Sequence, residues 1–114
     1  SPMQSFPISI DHHTWLCIKA ESLRERTRGL LGRDELPSGT LMLLPHCNLI
    51  HTFGMRFPLD IIFIDRHTCI HKIVRNVKPG RFIWGGWTTR QTLEAQSGWL
   101  PKLTLGTQLH LKTP

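Results

Sequence analysis

Alternation of apolar and polar positions is the clearest pattern along the chain. "FPISI" (6–10) and "TWLCIKA" (14–20) read as two short strands, with Asp11, His12 and His13 as the turn between them. "LMLLP" (41–45) is a short apolar run of buried-strand type, and "NLIHTF" (48–53) is a further strand segment broken by Gly54. "LDIIFI" (59–64) is the strongest strand, on its length and β-branched content. "DRHT" (65–68) is a turn, and "CIHKIVRNV" (69–77) returns as its hairpin partner until Pro79-Gly80 ends it. "FIWGGWTT" (82–89) reads as a turn region, "QTLEA" (91–95) and "TQLHLK" (107–112) as short strands, and "SGWLPKLTLG" (97–106) as the loop joining them.

The period changes only once. In "ESLRERTRGLLG" (21–32), Leu23, Thr27, Leu30 and Leu31 recur at helical spacing, Ser22 and Glu25 form a capping-box pair, and Gly32 suits the residue after a helix. The pattern predicts one helix over about 22–31. Many short strands with turn signals between them and a single helix predict a β-rich α+β fold. The expected form is a small sandwich or partly closed barrel of mostly antiparallel strands with the helix packed on it. One domain spanning 1–114 is expected from the length, with residues 1–5 disordered or foreign to the fold.

Composition narrows the class. With 39% hydrophobic and 19% charged residues the chain has the make-up of a soluble domain. No apolar run reaches the roughly 20 residues a membrane-spanning helix needs. Three widely spaced cysteines, Cys17, Cys47 and Cys69, predict buried free thiols and a reducing, cytoplasmic setting. The formal charge is +6, and no acid occurs between Asp65 and Glu94. Arg66, Lys72, Arg75, Lys78, Arg81 and Arg90 therefore form a one-sign segment that favours anionic partners.

The chemistry-bearing residues concentrate in "CNLIHTFGMRFPLDIIFID" (47–65). Cys47, His51 and Met55 stand four apart, beside His46, and on a helix could hold a soft metal ion. Gly54 and Pro58 oppose a helix, and in a strand positions four apart are separated by about 13 Å, so no metal site and no Cys–His pair is expected. Cys47, Leu49, His51, Phe53 and Met55 would then form one stripe facing the core. Asp60 lies within an apolar run whose two faces both look buried, and so requires partners; an arginine fits a carboxylate best, with Arg28, Arg33 and Arg56 available. Trp84, Trp87 and Trp99, in glycine-containing segments, either cap the core or stack on sugars or bases. No GxSxG or HExxH motif is present, and no cofactor is implied.

"RGLLGR" (28–33), "GTLMLLP" (39–45), "HCNLIHTFGMRFPLDIIFID" (46–65) and "LEAQSGWLPKLTLGTQL" (93–109) together resemble the successive motifs of the bacterial and archaeal "domain of unknown function 192" family. The resemblance spans about residues 16–111. It implies a small β-rich, sandwich-like unit with helical decoration and leaves activity open. "IHTFGMRFPLD" resembles members found near pilus or secretion genes, which implies an accessory role. "LEAQSG" departs from the family's "LELPAG", with Ala95 and Gln96 in place of Leu and Pro. The family's polar signature falls here on Arg28, Arg33, His51, Arg56 and Asp60.

The expected function is a non-enzymatic binding or accessory module, a monomer or weak dimer. Its cleft, lined by Arg28, Arg33, His51, Met55, Arg56 and Asp60, would take an anionic or carboxylate-bearing ligand or a protein partner. The alternatives are a small hydrolase-like enzyme with His51 and Asp60 as an acid–base pair, and a basic nucleic-acid-binding module, which the poor phosphate track of Lys72, Arg75 and Lys78 disfavours.

Overall fold

A computed structural model describes residues 4–21, Arg26 and 34–111. All regular elements among the described residues are strands: β1 (Ser5–Ile10), β2 (His13–Lys19), β3 (Thr40–Pro45), β4 (Leu49–His51), β5 (Leu59–Ile64), β6 (Ile70–Val77), β7 (Phe82–Trp84) and β8 (Gln91–Gln96). Among the described elements the α+β class with one packed helix is thus corrected to all-β. The predicted helix 22–31 lies, Arg26 excepted, outside the described residues. The sequence reading also missed β7. Phe82-Ile83-Trp84, within the expected turn region 82–89, pairs as a strand with β4. Conversely, "TQLHLK" forms no strand and makes a single bridge, Cys69 to Gln108. The start of the chain differs as well: Ser5 opens β1 and pairs with Ile18.

Six strands form one sheet in the order β1-β2-β3-β8-β5-β6, and β4 and β7 form a separate two-stranded ribbon. All pairs are antiparallel except β2 and β3, which run parallel and are joined by a crossover through residues 20–39. The β1–β2 hairpin closes on Asp11 and His12, both with positive φ (50° and 66°), as the tightest two-residue hairpins require. β8 is inserted at the centre, between β3 and β5, although it follows both by more than twenty residues in sequence.

Both faces of the sheet are covered, and all six residues of β5 are buried. On the back face, Phe6, Ile8, Cys17, Leu43, Ile62 and Leu93 pack beneath Leu100 and Leu109 of the C-terminal segment. On the front face, Met42, Leu44, Leu59, Ile61 and Phe63 pack beneath Ile50, Met55 and Phe57, with Ile83 alongside. The ribbon therefore lies on the front face. Its approach is close, since a Cβ on Gly85, just after β7, would overlap the ring of Phe63. Buried Thr52 fixes the ribbon's other end. Its hydroxyl donates to the Lys78 carbonyl (2.8 Å) and accepts from the Arg81 amide (2.9 Å).

Candidate functional site

Strand alternation sends Asp60 to the back and Glu94 to the front. Asp60 pairs with Ala95, and Glu94 with Ile61, in the β5–β8 register. Asp60 is 1% exposed. Its Oδ1 accepts the Asn76 amide (2.8 Å), while its Oδ2 accepts from Arg75 Nη1 (3.2 Å) and from the Gly98 amide (3.4 Å). Two residues of β6, Arg75 and Asn76, stand opposite Asp60 in a β-bulge, with Asn76 at φ 55°. Arg75 also donates to the Pro101 carbonyl (2.8 Å). Asp60 thus stitches a bulge to the segment covering the back face. Among the described residues its arginine is Arg75, and Arg56 lies elsewhere.

The front face holds an ion pair that the sequence reading overlooked. Arg26 Nε and Nη2 donate to the two carboxylate oxygens of Glu94 (2.8 and 2.7 Å), and Nη2 also donates to the His51 carbonyl (2.7 Å). Both side chains are buried, Glu94 completely. Paired in this bidentate way, Glu94 is not a free base and Arg26 is not a free anion receptor. Both residues carried a signal. Glu94 sits between Leu93 and Ala95 in a strand-like run, and Arg26 stands three after Leu23 and four before Leu30, a charge inside an apolar pattern.

Beside this pair opens a cleft of about 250 Å³ lined by Leu44, Cys47, Leu49, His51 and Arg26 among others. Among the described residues, His51 Nδ1 is buried without a hydrogen-bond partner. Burial raises the Cys47 thiol pKa, opposed in part by a backbone hydrogen bond from Leu49. The Glu94 carboxylate raises it and the Arg26 guanidinium lowers it, so burial decides the direction, which suits a packed thiol rather than a nucleophile. No group of three or more metal-binding side chains occurs among the described residues.

The expected stripe does not face the core. Leu49 and Phe53 are exposed, Ile50 and Met55 are buried, and the chain turns at Gly54. Of the anticipated cleft residues, His51 borders the cleft and Met55 lies in the front core. Arg56 is on the surface, 3.5 Å from exposed Asp34, and Asp60 lies on the opposite face of the sheet. His51 and Asp60 are therefore not brought together. Arg28 and Arg33 lie outside the described residues.

The outer face of the ribbon is the other departure from expectation. Leu49 stands opposite Trp84 and His51 opposite Phe82, all directed away from the sheet because Ile50 and Ile83 face it. Phe53 meets Phe82 edge-on (5.0 Å between ring centres) and stacks on His51 (6.1 Å). Trp84 and Trp87 form a second edge-on pair (5.2 Å). Trp99, by contrast, packs against the front core. The cations distribute around these rings. Arg81 and Lys78 lie in the loop held by Thr52. Lys72 donates to the Trp84 carbonyl (2.7 Å) and sits over Phe63 (5.8 Å). Arg66 and Arg90 share a surface cavity of about 410 Å³ with Trp87.

A family model described as "Uncharacterized ACR" matches residues 7–112, nearly the whole chain. The chain belongs to the DUF192 family. No curated protein matches it. Two crystal structures resemble this DUF192 chain. One is a protein of unknown function from Novosphingobium aromaticivorans DSM 12444, with a TM-score of 0.77 and 21% identity over 95% of this chain and 86% of the other. The other is a "putative transcription regulator" from Sinorhizobium meliloti 1021, with a TM-score of 0.78 and 19% identity over 96% and 95%. At such identities the likeness extends to the DUF192 fold alone. Among the described residues no helix is long and apolar enough to cross a membrane.

Proposed function

We propose that the chain is a non-catalytic binding module that holds an anionic ligand on the outer face of the β4–β7 ribbon. The observation that carries this reading is the clustering of exposed apolar side chains. Of the seven large hydrophobic residues exposed among those described, five (Leu49, Phe53, Phe82, Trp84 and Trp87) lie on the ribbon or its flanking turns, and only Leu16 and Leu105 do not. A contiguous apolar surface of this kind marks an interaction site. Its surroundings are cationic, from Lys72, Lys78 and Arg81 to the Arg66–Arg90 pair. The buried polar groups argue against chemistry there. Glu94 is neutralised by Arg26, and Asp60 is saturated on the other side of the sheet.

Heparin retention tests the reading. The double variant Arg66→Gln/Arg90→Gln should elute at clearly lower salt than a control, Lys102→Gln, an exposed position on the C-terminal segment. Equal shifts for the two, scaled only to the charge removed, would mean that attraction is a property of net charge and that the ribbon is not the ligand face.

A further inference from the structure

We infer that the anionic ligand is a single strand of nucleic acid, its bases stacking on the ribbon's rings and its phosphates meeting the cations at both ends; this rests on the ribbon being the ligand face. Three observations converge. The first is ring placement. Phe82 and Trp84 are alternate residues of one strand, so they project from the same face about 7 Å apart. Phe82 is 67% exposed, and Trp87, which stands edge-on to Trp84, is 81% exposed. Rings so placed offer successive platforms to unpaired bases, which all carry a π-face. The second is charge placement. The cations do not form one cluster. Arg81 precedes Phe82 at one end, while Lys72, Arg66 and Arg90 surround Trp84 and Trp87 at the other. A ligand matching this carries flat groups flanked by negative charges. A nucleic-acid strand does so all along its length, whereas a run of Asp or Glu alone supplies carboxylates without flat rings. The third is the cavity of about 410 Å³ beside Trp87, which combines an indole with two guanidinium groups and His67. Asp65 borders the same cavity, and its Oδ1 is already engaged by the backbone amides of His67 and Cys69 (2.8 and 3.0 Å).

The geometry also selects single strands over duplex. Stacking requires splayed bases, and a duplex keeps its base faces inside and presents only phosphates, sugars and base edges.

The test is fluorescence anisotropy with a short labelled oligothymidylate, an oligouridylate and a DNA duplex. Heparin fragments and polyglutamate serve as polyanions without bases. Phe82→Ala and Trp87→Ala remove exposed rings and should leave the fold intact, which thermal melting verifies. Each should weaken oligothymidylate binding by about ten-fold with the salt dependence unchanged. Arg66→Gln and Arg90→Gln should each reduce the slope of log K against log salt by about 0.7. Oligothymidylate and oligouridylate compared at the same salt distinguish a DNA from an RNA ligand. Binding that is equal for heparin, duplex and single strand, and indifferent to Phe82→Ala and Trp87→Ala, overturns the inference while leaving the anion-binding reading in place. Tighter binding of polyglutamate than of either oligonucleotide overturns it in favour of an acidic polypeptide. Failure of every polyanion to bind overturns both.

Discussion

At Glu94 a carboxylate with no exposed surface meets a guanidinium almost as deeply buried. Such a pair contributes little net stability relative to a well-packed apolar pair, because desolvation offsets the attraction. Removing one partner is a different matter, since it strands the other charge. Glu94→Leu should cost about 3–5 kcal/mol in chemical denaturation, and adding Arg26→Met should recover much of that loss. A double variant as unstable as the single one would show that the ion pair itself, rather than its integrity, holds the fold. Asp60→Asn keeps the size of the side chain but removes its charge and gives it an amide that cannot accept from every donor now facing it. A loss of about 1–3 kcal/mol is expected, with faster amide exchange at Asn76, and no change in heparin retention. Cys17 is fully buried, and burial pushes its thiol from 9.0 up to about 12. The folded chain holds that proton where the unfolded chain has released it, so stability should fall as pH rises above 9.0. In native protein at neutral pH, iodoacetamide should modify Cys69 first, Cys47 more slowly because its thiol pKa is raised, and Cys17 only after denaturant is added.

Among the elements, the ribbon is the most exposed to small changes, since its seat depends on the bare backbone at Gly85. Gly85→Ala should destabilise by about 1–3 kcal/mol and shift tryptophan emission, because Phe63 lies in the hydrophobic front layer and can yield little. Unaltered emission with full stability would mean that the ring moves aside freely. The turn after β5 depends on Asp65, whose carboxyl is held below its ordinary 3.8 chiefly by the Cys69 amide and then by that of His67. Its contribution is present above that ordinary value and is lost as pH falls through the lowered one. Amide protection at His67 and Cys69 should decline there before the rest of the sheet loosens. The same elements show what was legible in the sequence. β5 was readable to the residue because an apolar, β-branched run, broken only by Asp60, is bounded by Pro58 and Asp65. The β1–β2 hairpin was readable from its alternation and polar turn. β7 was hidden because three residues carry too little period to count, and the Gly85-Gly86 pair after it resembles a turn although Gly85 serves close packing. Asp60's burial could be anticipated from its neighbours. Its partner could not, since Arg75 reaches it only through a bulge that no local pattern announces.

For the whole molecule, the decisive fact is how the chain divides its two faces. The back is closed by hydrophobic packing under the C-terminal segment. The front carries the ion pair, the cleft beside it and the ribbon. That division was not visible in the sequence, because it depends on the parallel crossover that brings Arg26 over β8 and on the late insertion of β8 itself. A chain of residues 1–90 lacks the strand that joins its two halves, and should show no cooperative thermal transition by circular dichroism. Because β8 is made last among the strands yet sits in the middle, a chain still growing on the ribosome holds two unfinished sheets with open edges at β3 and β5. Such edges recruit strands from other chains. Any arrest of synthesis before residue 91 therefore turns this protein from a folding problem into an aggregation problem, and its yield in a cell depends on how quickly the ribosome reaches and covers the codons of β8.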